Sequence, residues 1–112
     1  MFKHILLPTD GSELSLRAVD TGIELAERCG AQVYAAQLIQ AGDEAYSRDA
    51  VVRAENCLAE VHRRAAAAGV ACESTYVFDH RPYLAIIGAA HRWHCDLIVM
   101  GSHGRGGLAR LL

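Results

Sequence analysis

The 112-residue chain reads as an α/β protein, a three-layer α/β/α sandwich around an open, twisted, parallel sheet. Three observations predict this. Short apolar runs (Ile5-Leu6-Leu7, Ala31 to Ile39, Val70 to Phe78, Leu97 to Met100) alternate with longer stretches of helical period. The resulting β-α-β-α-β-α-β order calls for parallel strands, right-handed crossovers and helices on both faces. Finally, the last run is apolar without alternation, as a strand covered on both sides should be, and it passes into a loop rich in glycine.

Totals set bounds on this picture. One small domain spanning 1–112 is expected, and a hydrophobic content of 52% suffices for a core. The net charge of −2 offers no basic footprint, so nucleic acid is disfavoured as a partner. No apolar run approaches the roughly 18 residues of a membrane helix, and Met1 to Pro8 is too short for a signal peptide. Cys29, Cys57, Cys72 and Cys95 are scattered without a CxxC pair, which suits buried thiols in a reducing cytoplasm.

Each element has its own signal. Lys3 to Leu7 is the first strand, closed by Pro8, and Ser12 caps the first helix. That helix is expected to bury Leu14, Ala18, Gly22, Leu25, Ala26 and Cys29, with Gly30 as a left-handed C-cap. Ala31 to Ile39 is the second strand. A long helix from about Ser47 to Ala68 comes next, with Val51, Ala54, Leu58, Val61 and Ala65 inward and Gly69 as its stop. Val70 to Phe78, polar at Glu73, Ser74 and Thr75, is expected at an edge. Pro82 opens a third helix that buries Leu84, Ile87 and Ala90 and ends near Trp93-His94. Leu108 to Leu112 reads as the first turns of a last helix.

Two turns carry the chemistry. Ligands of open parallel sheets sit outside the carboxyl ends of the strands, where strand order reverses. The first strand ends in Pro8-Thr9-Asp10-Gly11-Ser12 and the fourth in Met100-Gly101-Ser102-His103-Gly104-Arg105-Gly106-Gly107. If these strands are neighbours, Asp10 and the glycine loop share one crevice. A glycine loop leading into a helix offers orphan amides and a positive dipole end to phosphate, though glycines also make plain turns. Asp10 is suited to ribose hydroxyls or to a divalent metal held against phosphates, a reading the glycine loop favours over that of a residue bonding its own turn. His103 suits ribose or phosphate contact, or simple exposure, better than general acid chemistry, since no partner carboxylate or nucleophile is visible for it. Arg105 and Arg110 are phosphate partners or solvated charges. His91-x-x-His94-Cys95-Asp96 is a poor metal cluster because Cys95 and Asp96 fall in the turn into a strand. Trp93 reads as packing, and Ser12 as a cap rather than a nucleophile.

Taken together, Ile5-Leu6-Leu7-Pro8-Thr9-Asp10-Gly11-Ser12 and Asp96-Leu97-Ile98-Val99-Met100-Gly101-Ser102-His103-Gly104-Arg105 resemble the universal stress protein family, over the whole chain. The resemblance implies a Rossmann-like, nucleotide-binding cytoplasmic domain, usually a homodimer, with strand order 3-2-1-4 and the family's fifth strand missing here. One branch of the family binds ATP through G-x-x-G, nine residues, then G-[S/T]; another lacks the pattern and binds no nucleotide. Gly101-Ser102-His103-Gly104 matches the first half, and the second half would fall beyond Leu112. By resemblance, Asp10 contacts ribose or a phosphate-bound Mg²⁺ or Mn²⁺. Pro8 and Thr9 lie beside the base, Leu38 packs on adenine and Met100 lines the pocket. Gly101, His103, Gly104 and Arg105 approach ribose and phosphates. Gln37 stands where many relatives have histidine.

These features describe a regulatory module binding ATP or another adenine nucleotide, with at most slow hydrolysis. The alternatives are a nucleotide-free dimeric scaffold of the same fold and, further off, a nucleotidyl transferase or ATP pyrophosphatase. Without a fifth strand, Leu97 to Met100 would form a bare apolar edge. The 112 residues are therefore expected to be a truncated piece, a partial chain, or one completed by a partner's strand.

Overall fold

The computed structural model describes residues 1–40, 47–79, 81–102 and 106–111. Its elements are β1 (His4–Thr9), α1 (Glu13–Cys29), β2 (Gln32–Gln40), α2 (Arg48–Ala67), β3 (Cys72–Asp79), α3 (Pro82–Arg92), β4 (Leu97–Ser102) and β5 (Gly106–Leu111). The sheet order is β3-β2-β1-β4-β5. The first four strands are parallel, so the expected 3-2-1-4 order holds, with β3 at the edge.

The caps explain the helix limits. Ser12 stands extended before α1, and its hydroxyl accepts from the Ser15 N–H at 3.2 Å. At the other end Gly30 takes φ 69°, which a β-carbon would disfavour, and its N–H reaches the Ala26 carbonyl. Ser47 caps α2 in the same way, accepting from Ala50 N–H at 3.1 Å. Pro82 starts α3, where a missing N–H costs nothing.

The two faces of the sheet separate by strand parity. On one, Ile5, Leu7, Val33, Ala35, Leu97 and Val99 meet α1 and α2 through Val19, Ile23, Leu58, Val61 and Ala65. On the other, Leu6, Tyr34, Ala36 and Ile98 meet α3 through Ile86, Ala89 and Ala90. Gly22 lies in the middle of α1, where glycine weakens a helix by about 1 kcal/mol relative to alanine. A β-carbon there would collide with Leu7 Cδ2, so glycine is what lets α1 sit directly on β1.

Three expectations are corrected. The segment read as the start of a helix, Leu108 onward, belongs to β5, which runs antiparallel to β4 with Leu97 opposite Leu111 and Ser102 opposite Gly106. Local helix propensity loses because the apolar edge of β4 has hydrogen-bonding groups to satisfy, and β5 covers the edge expected to be bare. In α3, Ala90 is buried as expected, but Leu84 is exposed and Ile87 only half-buried; Ile86 and Ala89 face the sheet in their place. The α1 stripe is shifted likewise: Ala18, Gly22 and Ala26 are buried as expected, joined by Ser15, Val19 and Ile23, while Leu14, Leu25 and Cys29 are half-buried. The α2 stripe holds from Ala54 to Ala65, with Val51 half-buried.

Candidate nucleotide site

β1 and β4 are neighbours, with Ile5 level with Leu97 and Leu6 with Ile98. The ladder covers these two pairs, and beyond it both strands run on toward the carboxyl edge, β1 to Thr9 and β4 to Ser102. The two turns named from the sequence therefore leave the sheet side by side at its carboxyl edge.

Gly101 holds them together. A β-carbon there would lie 2.9 Å from Leu14 Cγ and 3.0 Å from the Leu14 carbonyl oxygen. Backbone meets backbone, so any side chain would push the end of β4 off the first turn of α1. Directly before that turn stands Asp10, exposed, its Oδ1 accepting from Ser12 N–H at 2.9 Å. Partial burial raises its pKa, but hydrogen bonds from Ser12 and Ser15 outweigh this and draw the carboxyl below its ordinary range. Asp10 is thus a fixed anion and a poor proton acceptor at neutral pH, suited to hydroxyl donors or a cation rather than to base catalysis.

Strand parity assigns the other candidates to faces. Leu38 and Met100 are half-buried and pack on the α3-side core. Pro8 is buried two positions on from Leu6 of that same core, so these three share one face. Thr9 turns the opposite way and is 1% exposed. Its hydroxyl lies 2.9 Å from Ser15 Oγ and 3.6 Å from Cys57 Sγ, and accepts from Gly11 N–H at 3.2 Å. Thr9 therefore shapes the Asp10 turn from beneath. His103, Gly104 and Arg105 lie outside the described residues. Because β5 comes next, the helix N-terminus expected beyond the glycine loop is not among the described residues; Arg110 pairs through its backbone with Ile98.

The residues of His91-x-x-His94-Cys95-Asp96 have other work. Asp96 accepts from Lys3 N–H at 2.9 Å and His4 N–H at 3.2 Å, latching the start of β4 to the start of β1. Cys95 is buried in the α3-side core, and desolvation, then the nearby Asp96 carboxylate, push its thiol up to about 12. Trp93 packs on Tyr34 with ring centroids 5.1 Å apart. Among the described residues no three His, Cys, Asp or Glu side chains gather to hold a metal. A divalent ion at this edge would rest on Asp10 and on the ligand's own oxygens, the donor set that magnesium commonly takes with phosphates.

Sequence reasoning passed over one feature. Gln37 is 5% exposed, and its Oε1 has no hydrogen-bond partner among the described residues. The signal was present: in Val33-Tyr34-Ala35-Ala36-Gln37, period-two alternation puts Gln37 inward with Val33 and Ala35.

Comparison with known proteins accords with this arrangement. The chain is 31% identical over 122 residues to a universal stress protein of Methanocaldococcus jannaschii, covering 100% of this chain and 71% of that one. It is 33% identical over 116 residues to another from Thermus aquaticus, covering 99% and 85%. A universal stress protein crystallised in complex with cAMP superposes with a TM-score of 0.73 at 27% identity, covering 88% of this chain and 75% of its own. The family model for the universal stress protein family matches residues 1–112, and the chain belongs to that family.

Proposed function

We propose that this chain binds an adenine nucleotide at the carboxyl edge of β1, β2 and β4, and acts as a regulatory binding module. Leu38 and Met100 supply half-exposed apolar surface for the base, with Pro8 behind them, and Asp10 accepts from ribose hydroxyls. Gly101 stands toward the phosphates, and by the family resemblance His103, Gly104 and Arg105 would contact them. The observation that supports the reading is the close approach of Gly101 to the backbone of Leu14, which sets the end of β4 against the first turn of α1, directly after the Asp10 turn. The relative crystallised with cAMP supports the ligand class.

The finer expectation is ATP with Mg²⁺ or Mn²⁺. A triphosphate gains most from a helix N-terminus after the glycine loop, and β5 stands there instead. We therefore read a nucleoside monophosphate or its cyclic form as the preferred ligand, with ATP and metal on Asp10 weaker. Asp10, held ionised, accepts hydroxyl protons poorly, which favours binding over hydrolysis. The reading retains the homodimer and the cytoplasmic location that the family resemblance implies; among the described residues no helix is long and apolar enough to cross a membrane.

Calorimetric titration with cAMP, AMP and ATP, each with and without Mg²⁺, tests this. AMP or cAMP should bind more tightly than ATP, and Asp10→Ala should weaken binding by about tenfold, the scale of a charge-assisted hydrogen bond. Absence of heat with all three nucleotides would favour the scaffold, and rapid turnover of ATP the enzyme.

A further inference from the structure

A cavity of about 180 Å³ opens between the carboxyl half of β2 and the first turns of α2, lined by Gln37, Leu38, Ile39, Ala50, Arg53 and Ala54. Gln37 points to the α1/α2 face, whereas the nucleotide reading uses the α3 face. Leu38 borders both places, so the cavity adjoins the nucleotide surface, while Gln37 and Arg53 belong to the cavity alone.

Three polar residues are buried at this end of the molecule: Thr9, Ser15 and Gln37. Thr9 and Ser15 satisfy each other. The Gln37 carboxamide oxygen, level with Thr9 across the β1–β2 ladder, has no donor among the described residues. An orphaned buried acceptor destabilises the fold, a cost that an apolar residue of similar size would avoid. At the rim stands the exposed guanidinium of Arg53, which makes no ion pair among the described residues, even with Asp49 one turn earlier. The positive end of the α2 dipole lies on the same side. Leu38, Ile39, Ala50 and Ala54 form the walls between these two groups.

An unsatisfied acceptor at the floor, apolar walls and a cation at the rim describe a complementary guest. It needs an N–H or O–H donor at one end, a short aliphatic body and an anion at the other. At about 30 Å³ per water, the cavity has room for about six waters, far less than a nucleotide requires. We infer that this cavity is a binding site for a short amino or hydroxy carboxylate, whose donor hydrogen-bonds Gln37 Oε1 and whose carboxylate pairs with Arg53.

The test uses the full chain labelled with ¹⁵N, tracking the Gln37 side-chain amide and the Arg53 Nε–H resonances. The probes are β-alanine and L-lactate; propionate, which lacks the donor, and ethanolamine, which lacks the anion, are the controls. Both probes should move both sets of resonances, and each control should bind about tenfold more weakly, the usual effect of one unmade buried hydrogen bond or ion pair. Gln37→Leu should abolish the preference for β-alanine over propionate, and Arg53→Ala the preference over ethanolamine. Arg53 is exposed, so the second variant remains informative should the first fail to fold. Resonances that stay still with all four compounds, or move equally with all four, would overturn the proposal. So would preferences that survive both substitutions.

Discussion

The two faces of the sheet are built to different specifications. On the α1/α2 side, helices of 17 and 20 residues close over Ile5, Leu7, Val33, Ala35, Leu97 and Val99, and the core reaches from the Phe2 end to the Thr9 network. On the α3 side one helix of 11 residues covers the middle of the sheet through small alanines, leaving Leu38 and Met100 half-open at the carboxyl edge. The face that is fully covered holds the fold, and the face that is partly covered presents the candidate nucleotide surface. Substitutions at equivalent depth should separate these roles. The largest effect belongs to Leu7→Ala: Leu7 is fully buried under α1, and its loss should lower the unfolding free energy by about 3 kcal/mol in guanidinium titrations. On the other face Leu38→Ala should cost about 1 kcal/mol, because its side chain is only half removed from water, yet weaken nucleotide binding measurably. Equal losses at the two positions would dissolve the distinction.

A second substitution probes how closely the covered face is packed. Alanine at Gly22 should strengthen α1 as a helix by about 1 kcal/mol. Its β-carbon, however, would meet Leu7 Cδ2, and overpacking a core costs about 1–3 kcal/mol. The net expectation is a loss of about 1 kcal/mol by thermal or chemical unfolding. Combined with Leu7→Ala, the new methyl would enter the space just vacated, so the double variant should be less destabilised than the sum of the singles. Strict additivity would show that α1 and β1 do not touch as described.

Much of this could be read from the chain. Ser12, Gly30, Ser47, Gly69 and Pro82 announce the helix ends by capping chemistry that depends only on near neighbours. The alternation of elements dictated the parallel order. What local reasoning missed was set by distant partners. Helix phase depends on which side chains let the sheet approach: Gly22 and Ala90 are inward as expected, but Ser15, Val19 and Ile23 in α1 and Ile86 and Ala89 in α3 take the places expected of Leu14 and Leu84. Leu108 to Leu111 has helix formers, but its state is decided by the unpaired edge of β4, which is invisible in a window of neighbouring residues. The site was legible as two motifs at two strand ends. That Gly101 meets Leu14, and that Thr9 faces inward to Ser15, required coordinates.

The smallest effect concerns a clasp found on the covered side. Arg64 of α2 bonds Asp20 of α1 at 2.9 Å and Glu60 at 2.7 Å, while Arg63 bonds Glu60 at 2.6 Å. Hydrogen bonds from Arg63 and then Arg64 hold the Glu60 carboxyl down at about 2. A carboxylate with a depressed folded-state pKa contributes stability that is fully present above its unfolded value, about 4.3, and is lost as pH falls through the folded value. Wild-type protein should therefore lose melting temperature between about pH 4.3 and about pH 2 more steeply than Glu60→Gln, with the two converging at the acid end. Asp10, also depressed, contributes with the same sign in both proteins and cancels in the difference. The gap should be small, since the clasp lies at the surface, with Glu60 and Arg64 part-exposed and Arg63 mostly exposed, and such pairs are screened. Salt supplies the final discrimination: a gap that shrinks as ionic strength rises belongs to the clasp, whereas one indifferent to salt would trace to the packing of the Glu60 stem against Arg64.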